Sequence, residues 1–92
     1  MHSSSFTILA RRSGGTEPRL GLAIAKRQIR RASARNRIKR LVRESYRHHL
    51  DILDGLDIVV MARSGAQTKE NEVIFRELEE LWRKLSKRCE PS

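Results

Sequence analysis

Apolar residues along the chain form two kinds of pattern, short runs rich in branched side chains and longer stretches with a helical period. The runs Phe6–Ala10, Arg19–Ala25 and Leu56–Ala62 predict three strands. We expect the second strand to run antiparallel to the first. The third has a nearly continuous apolar centre, which is typical of a strand that is covered on both faces or is parallel to a neighbour.

Two stretches repeat with the period of a helix. Ser33 is the predicted N-cap of the first, which ends near His49–Asp51. Its small and apolar side chains share an arc of roughly 100°: Ala34, Ile38, Leu41, Val42, Ser45 and His49. The second predicted helix spans Glu70–Lys87. Its buried stripe holds Ile74, Leu78, Leu81, Trp82 and Leu85. We interpret Trp82 as a core residue rather than a platform for base stacking.

The predicted order is β-β-α-β-α, with a strand–helix–strand crossover around the first helix. This order indicates an α+β fold in a single domain over residues 1–92. Loops are predicted at Ser13–Pro18, at the Asp54–Gly55 turn and at Arg63–Lys69. Residues 1–5 are short and polar, and we expect them to be disordered.

Charge is distributed very unevenly. The net charge is +9, but residues 1–50 carry +11 and residues 51–92 carry −2. Ten of the twenty Lys and Arg residues lie between Lys26 and Arg47, with Glu44 as the only acid among them. Arg37 and Glu44 fall at the edge of the first helix. Its main polar arc lies opposite the apolar one and holds Arg35, Asn36, Lys39, Arg40, Arg43 and Arg47.

An exposed helix face is the simplest interpretation of a charge run, but such faces usually mix signs. Here like charges recur every three or four residues and destabilise the helix. A polyanion would offset that repulsion, and Arg suits forked contacts to phosphate. The sequence therefore predicts a nucleic-acid-binding helix.

Catalytic and metal-binding patterns are not evident. His2, His48 and His49 are scattered or terminal, and the acids at positions 51, 54 and 57 suit caps and turns. The single cysteine, Cys89, gives no internal disulfide. Because no apolar run is long enough for a membrane span and no signal peptide is evident, we expect a cytoplasmic binding module without a cofactor or metal of its own.

The segment Arg35–Glu44, with the sequence RNRIKRLVRE, resembles the protein subunit of bacterial ribonuclease P. Arg19–Lys26 is similar to the strand that leads to a lysine in this family. Asp57–Arg63 and Glu79–Lys84 resemble its last strand and last helix. The ordered set covers nearly the whole chain.

This resemblance implies that the chain binds ribonuclease P RNA and the 5′ leader of precursor tRNA, while the RNA cleaves with Mg²⁺. It also implies a two-layer α/β sandwich like domain 2 of ribosomal protein S5, with a left-handed βαβ crossover. Thr7 and Leu9 match the leader cleft. By motif match, the implied RNA-contacting residues are Arg35, Asn36, Arg37, Lys39, Arg40 and Arg43, with Lys26 close by. The basic run adds Arg30, Arg31 and Arg47 to the predicted RNA-binding residues.

Family members usually begin with a further helix and a short strand before the position of Phe6, and these 92 residues contain no such helix. We therefore expect an undercovered sheet face, self-association and weak discrimination for the leader. Three alternatives remain open: another small RNA-binding protein, such as a ribosomal protein, a DNA-binding module that uses the helix in a major groove, and a protein-interaction domain.

Overall fold

A computed structural model describes residues 2–12, 19–53 and 55–88, with Arg88 described by its backbone alone. The predicted loop at 13–18, Asp54 of the predicted turn and Cys89 lie outside the described residues. The elements, in chain order, are β1 (Phe6–Arg12), β2 (Arg19–Ala23), α1 (Ala32–His48), α2 (Leu50–Leu53), β3 (Leu56–Ala62), the 3₁₀ helix η1 (Ser64–Thr68) and α3 (Asn71–Arg88). The predicted order of strands and main helices is confirmed, and α2 and η1 are additions to it.

The three strands form one mixed sheet in the order β1-β3-β2. β3 pairs antiparallel with β1 and parallel with β2. β1 and β2 therefore run in opposite directions, as expected, but β3 separates them. The apolar centre of β3 suits this central, partly parallel position. The α+β class is confirmed, while the left-handed sense of the β2–α1–β3 crossover stays a prediction.

The core lies between one face of the sheet and the two long helices. Alternate residues of β3 are buried, and α1 and α3 contribute Ile38, Val42, Ile74 and Leu78 to the same cluster. Trp82 is fully buried, and its Nε1 donates to Ser45 Oγ at 2.9 Å. The interpretation of Trp82 as a core residue is confirmed. No helix in the described ranges is long and apolar enough to cross a bilayer.

α1 begins two residues earlier than its predicted N-cap implies. Arg31 is the N-cap, without a side-chain hydrogen bond, and the Arg35 amide donates to Arg31 O at 3.1 Å. Ser33 lies inside the helix and is exposed, so its prediction as the N-cap is wrong. The cause is tertiary, because Ile29 is fully buried and fixes where the chain enters the helix.

Residues 2–5, the described part of the segment before β1, make several contacts with the rest of the fold, while Met1 lies outside the described residues. His2 forms a β-bridge with Thr7, and the Ser5 amide donates to Glu77 Oε1 at 3.1 Å. Lys69 Nζ lies 3.3 Å from Glu77 Oε2 and 2.6 Å from Ser4 Oγ. This group, which we name the Glu77 clasp, fastens residues 4–5 to α3.

Candidate nucleic-acid interface

α1 presents two faces that differ in burial and in charge. Ile38, Leu41, Val42 and Ser45 are buried and form the packed face. On the other side a shallow depression of about 570 Å³ is lined by polar and charged side chains of α1 alone. We name this the basic face, and its residues are Asn36, Lys39, Arg40, Arg43 and Arg47, with Glu44 at the rim.

Among the described residues, no acidic side chain forms an ion pair with a cation of the basic face. The side chains of Lys39, Arg40, Arg43 and Arg47 make no hydrogen bond or ion pair with any residue in the described ranges. Arg43 lies three or four residues from each of the other three, so their mutual repulsion destabilises α1 unless an anion is present. The surface is therefore suited to several phosphates at once.

Arg35 and Arg37 point elsewhere, although the sequence groups them with the other cations. Arg35 Nη1 donates to Ile29 O at 2.9 Å and to Arg30 O at 2.8 Å. Arg37 Nε donates to Asn71 Oδ1 at 2.9 Å, and its Nη2 donates to Lys69 O. Both guanidinium groups are thus engaged with the protein itself, in contacts that a helical wheel does not reveal.

A second cationic element precedes α1. Residues 26–31 form a loop that exposes Lys26, Arg27, Arg30 and Arg31. Its turn is closed by hydrogen bonds from the amides of residues 28 and 29 to Ala25 O. Arg27 is not among the predicted RNA-binding residues, although it is exposed in this loop. Its position in the dense basic run is the sequence signal that could have added it to them.

The sheet face turned away from the helices is open over the described residues. The strand register places its side chains in three rows: Thr7–Met61–Ala23, Leu9–Val59–Gly21 and Arg11–Asp57–Arg19. Leu9 is 57% exposed and Val59 is 39% exposed, while Thr7 is half-buried. Thr7 and Leu9, the two predicted cleft residues, therefore share this face.

Arginines lie at both ends of this open sheet face. Arg11 and Arg19 border a cavity of about 450 Å³ at one end. Arg27 and Arg63 border another of about 560 Å³ beside Thr7 and Met61. The sequence pattern does not single out Arg11, Arg19 or Arg63, because only the register of the strands shows that they flank one surface. No group of three or more His, Cys, Asp or Glu in the described ranges is placed to hold a metal ion.

A small α+β domain with an unneutralised basic helix is typical of a nucleic-acid-binding module. The sequence profile of the ribonuclease P family matches residues 1–86. The chain is 48% identical over 90 residues to the ribonuclease P protein component of Pseudoalteromonas atlantica, covering 98% of this chain and 75% of that protein. It is 45% identical over 86 residues to that of Pseudoalteromonas translucida, covering 94% and 61%.

The fold is also similar to that of a solved structure. The Staphylococcus aureus RNase P protein superposes with a TM-score of 0.82 and 27% sequence identity, over 90% of this chain and 76% of that one. The chain therefore belongs to the ribonuclease P protein component family, and the resemblance inferred from the Arg35–Glu44 segment is confirmed.

Proposed function

We propose that this chain is the protein subunit of a ribonuclease P holoenzyme that generates the mature 5′ ends of tRNAs in the cytoplasm. One observation carries the proposal: α1 presents four cations whose side chains have no partner among the described residues. Membership of the family supports it. In this proposal the partner RNA cleaves with Mg²⁺, as the family resemblance implies, and the protein supplies binding.

Two neighbouring elements supply the contacts to ribonuclease P RNA. The basic face of α1 is the first, and the loop with Lys26, Arg30 and Arg31 is the second. Each phosphate that a cation neutralises releases condensed counterions, which makes binding strongly salt-dependent. Asn36 cannot neutralise phosphate, so we assign it hydrogen bonds that orient the RNA or its neighbours.

The 5′ leader of precursor tRNA is assigned to the open sheet face. Leu9 and Val59 give an apolar centre on which bases can pack, and arginines at both ends can take phosphates. From Thr7 to Arg11 the face extends by about 13 Å along β1. The same exposed centre supports self-association of the 92-residue chain, which sedimentation over a concentration series would detect.

Reconstitution with a cognate ribonuclease P RNA tests the proposal. The protein should stimulate cleavage of precursor tRNA at low Mg²⁺, because its cations reduce the metal-ion demand of joining two polyanions. An Arg40→Gln, Arg43→Gln double variant should lose most of this stimulation. Cleavage by repurified protein without RNA would contradict the assignment of catalysis to the partner RNA.

The leader assignment needs its own measurement. Leu9→Glu should lower the affinity ratio of precursor over mature tRNA in the holoenzyme and leave affinity for mature tRNA unchanged. Leu50→Glu is a matched control, because Leu50 is similarly exposed but lies outside the sheet. A comparison of structured RNA with duplex DNA of equal length, at physiological salt, tests the alternatives. Equal affinity for the two would favour the DNA-binding alternative.

A further inference from the structure

The first turn of α1 holds the preceding loop through a single side chain. Nη1 of Arg35 reaches two successive carbonyl oxygens, those of Ile29 at 2.9 Å and Arg30 at 2.8 Å. Arg35 is half-buried, unlike the exposed Arg40 and Arg43. Both N–H groups of Nη1 are therefore directed at carbonyl oxygens of the protein, and only the donors on Nε and Nη2 are left for a phosphate.

The loop that Arg35 contacts needs such an anchor. It carries Lys26, Arg27, Arg30 and Arg31, all exposed, and these like charges repel one another. Apart from Arg35, its contacts among the described residues include the turn hydrogen bonds to Ala25 O, the buried side chain of residue 29, and the hydrogen bond from the Ser64 amide to Oε1 of residue 28, at 3.2 Å. A loose loop would lose conformational entropy on binding RNA, and that loss would weaken the complex.

We propose that Arg35 is a positioning residue that fixes residues 26–31, so that the cations of this loop and the basic face of α1 form one continuous surface for RNA. The inference rests on the proposed function for its RNA partner, but the contacts that carry it lie within the protein. Arg35 acts through the loop, and its loss disturbs several phosphate contacts at once. The Arg35-Asn36-Arg37 motif thus begins with a residue whose first role is internal.

Amide hydrogen exchange on the free protein tests the anchor directly. The amides of Gln28 and Ile29 donate to Ala25 O at 3.0 and 3.1 Å, and they report on the loop. Arg35→Lys keeps the charge but loses the planar guanidinium, and it should speed exchange at both amides by about tenfold. Arg43→Lys is the matched control and should leave this exchange unchanged, since Arg43 contacts no loop carbonyl among the described residues.

RNA binding supplies the second readout. Arg35→Lys should weaken binding to ribonuclease P RNA by about tenfold although the net charge is kept. Arg76→Lys should bind within about twofold of wild type, because Arg76 is exposed on α3 and lies outside both basic elements. Arg35→Gln should weaken binding no less than Arg35→Lys does. Because the lysine variant is conservative, it also serves as the folded comparison if the glutamine variant is unstable.

Two results would overturn the proposal. One is unchanged exchange at Gln28 and Ile29 in Arg35→Lys. The other is wild-type RNA affinity in Arg35→Lys together with a charge-dependent loss in Arg35→Gln equal to that of Arg43→Gln, which would make Arg35 an ordinary phosphate contact. If the wild-type protein does not bind the RNA, the proposed function fails, and the exchange experiment still decides whether Arg35 holds the loop.

Discussion

The packed face and the basic face of α1 belong to one continuous segment, yet their side chains differ in what they contact. On the packed face, Ile38 and Val42 are fully buried and Ser45 accepts a hydrogen bond from Trp82. On the basic face, the side chains of Lys39, Arg40, Arg43 and Arg47 have no partner among the described residues. The side chains of the packed face find their partners within the protein, whereas the cations of the basic face need an external anion as a partner. The two faces should therefore respond differently to substitution.

Charge alone does not identify which residues form the basic face. Of the ten Lys and Arg residues between 26 and 47, Arg35 and Arg37 donate hydrogen bonds to the protein itself. These two make contacts within the protein, as the packed face does, although they carry the charge of the basic face. On α1, the absence of a protein partner among the described residues, rather than sequence density, distinguishes the cations of the basic face from Arg35 and Arg37.

The largest expected effect is on the packed face. Ile38→Ala should lower the free energy of unfolding by about 2–4 kcal/mol, because it removes a fully buried side chain and leaves a cavity. Denaturant unfolding measures this loss. Lys39→Ala, one residue away, should change stability by less than about 0.5 kcal/mol. Similar losses in the two variants would mean that the faces are not separate.

Ser45→Ala should have the next largest effect, about 1–3 kcal/mol, because it leaves the buried Trp82 Nε1 without an acceptor. The same change in a Trp82→Phe background should cost less, since the donor is then gone. Thermal unfolding of wild type, the two single variants and the double variant gives the coupling energy between Ser45 and Trp82. A coupling energy of zero would show that the hydrogen bond does not contribute to stability.

The sequence predicted the parts of the fold that depend on local periodicity. β3 matches its predicted bounds, and the buried stripe of α3 contains the five residues selected from its spacing. The strand order could not be predicted, because short apolar runs do not specify which neighbour they pair with. The N-cap at Ser33 was wrong because the buried Ile29 sets the start of the helix.

The candidate site shows the same division between local and tertiary information. The basic face follows from a helical wheel, since its residues are all on α1. The hydrogen-bond partners of Arg35 and Arg37 are set by the tertiary fold. Those of Arg37 lie 32 and 34 residues further along the chain. The grouping of Arg11 with Arg19 depends on strand register. No local pattern encodes those contacts.

The Glu77 clasp is a polar contact that we expect to stabilise the fold, as the packed face of α1 does. Burial raises the pKa of Glu77, but hydrogen bonds from serines of the N-terminal segment and from Lys69 outweigh it and lower the pKa from 4.5 to about 2. Because the folded pKa is lower than the unfolded one, this contribution is complete above about pH 4.5 and is lost as the pH falls towards 2.

Glu77→Gln should therefore cost about 1–2 kcal/mol at neutral pH, after allowance for partial solvent screening. The difference from wild type should shrink between about pH 4.5 and pH 2, which unfolding at a series of pH values would detect. Glu80→Gln is a matched control, because Glu80 lies on the same helix but is exposed. A constant difference across this pH range would contradict the lowered pKa.

The smallest effect on stability is expected on the basic face, where the effect on binding should be large. Arg40→Gln and Arg43→Gln should each change the free energy of unfolding by less than about 0.5 kcal/mol, because neither side chain has a partner among the described residues. Each should also reduce the slope of log K against log salt for ribonuclease P RNA by about 0.7–0.9 for every phosphate that is no longer neutralised.

Asn36→Ala provides the comparison within the basic face that isolates charge. Asn36 lines the same depression as Arg40 and Arg43 but is neutral, so its loss should leave the salt slope unchanged even if affinity falls. Titrations at several salt concentrations separate the slope from the affinity. If Arg40→Gln unfolded the protein and left the slope unchanged, the two faces of α1 would have to be exchanged, and the RNA would have to bind elsewhere.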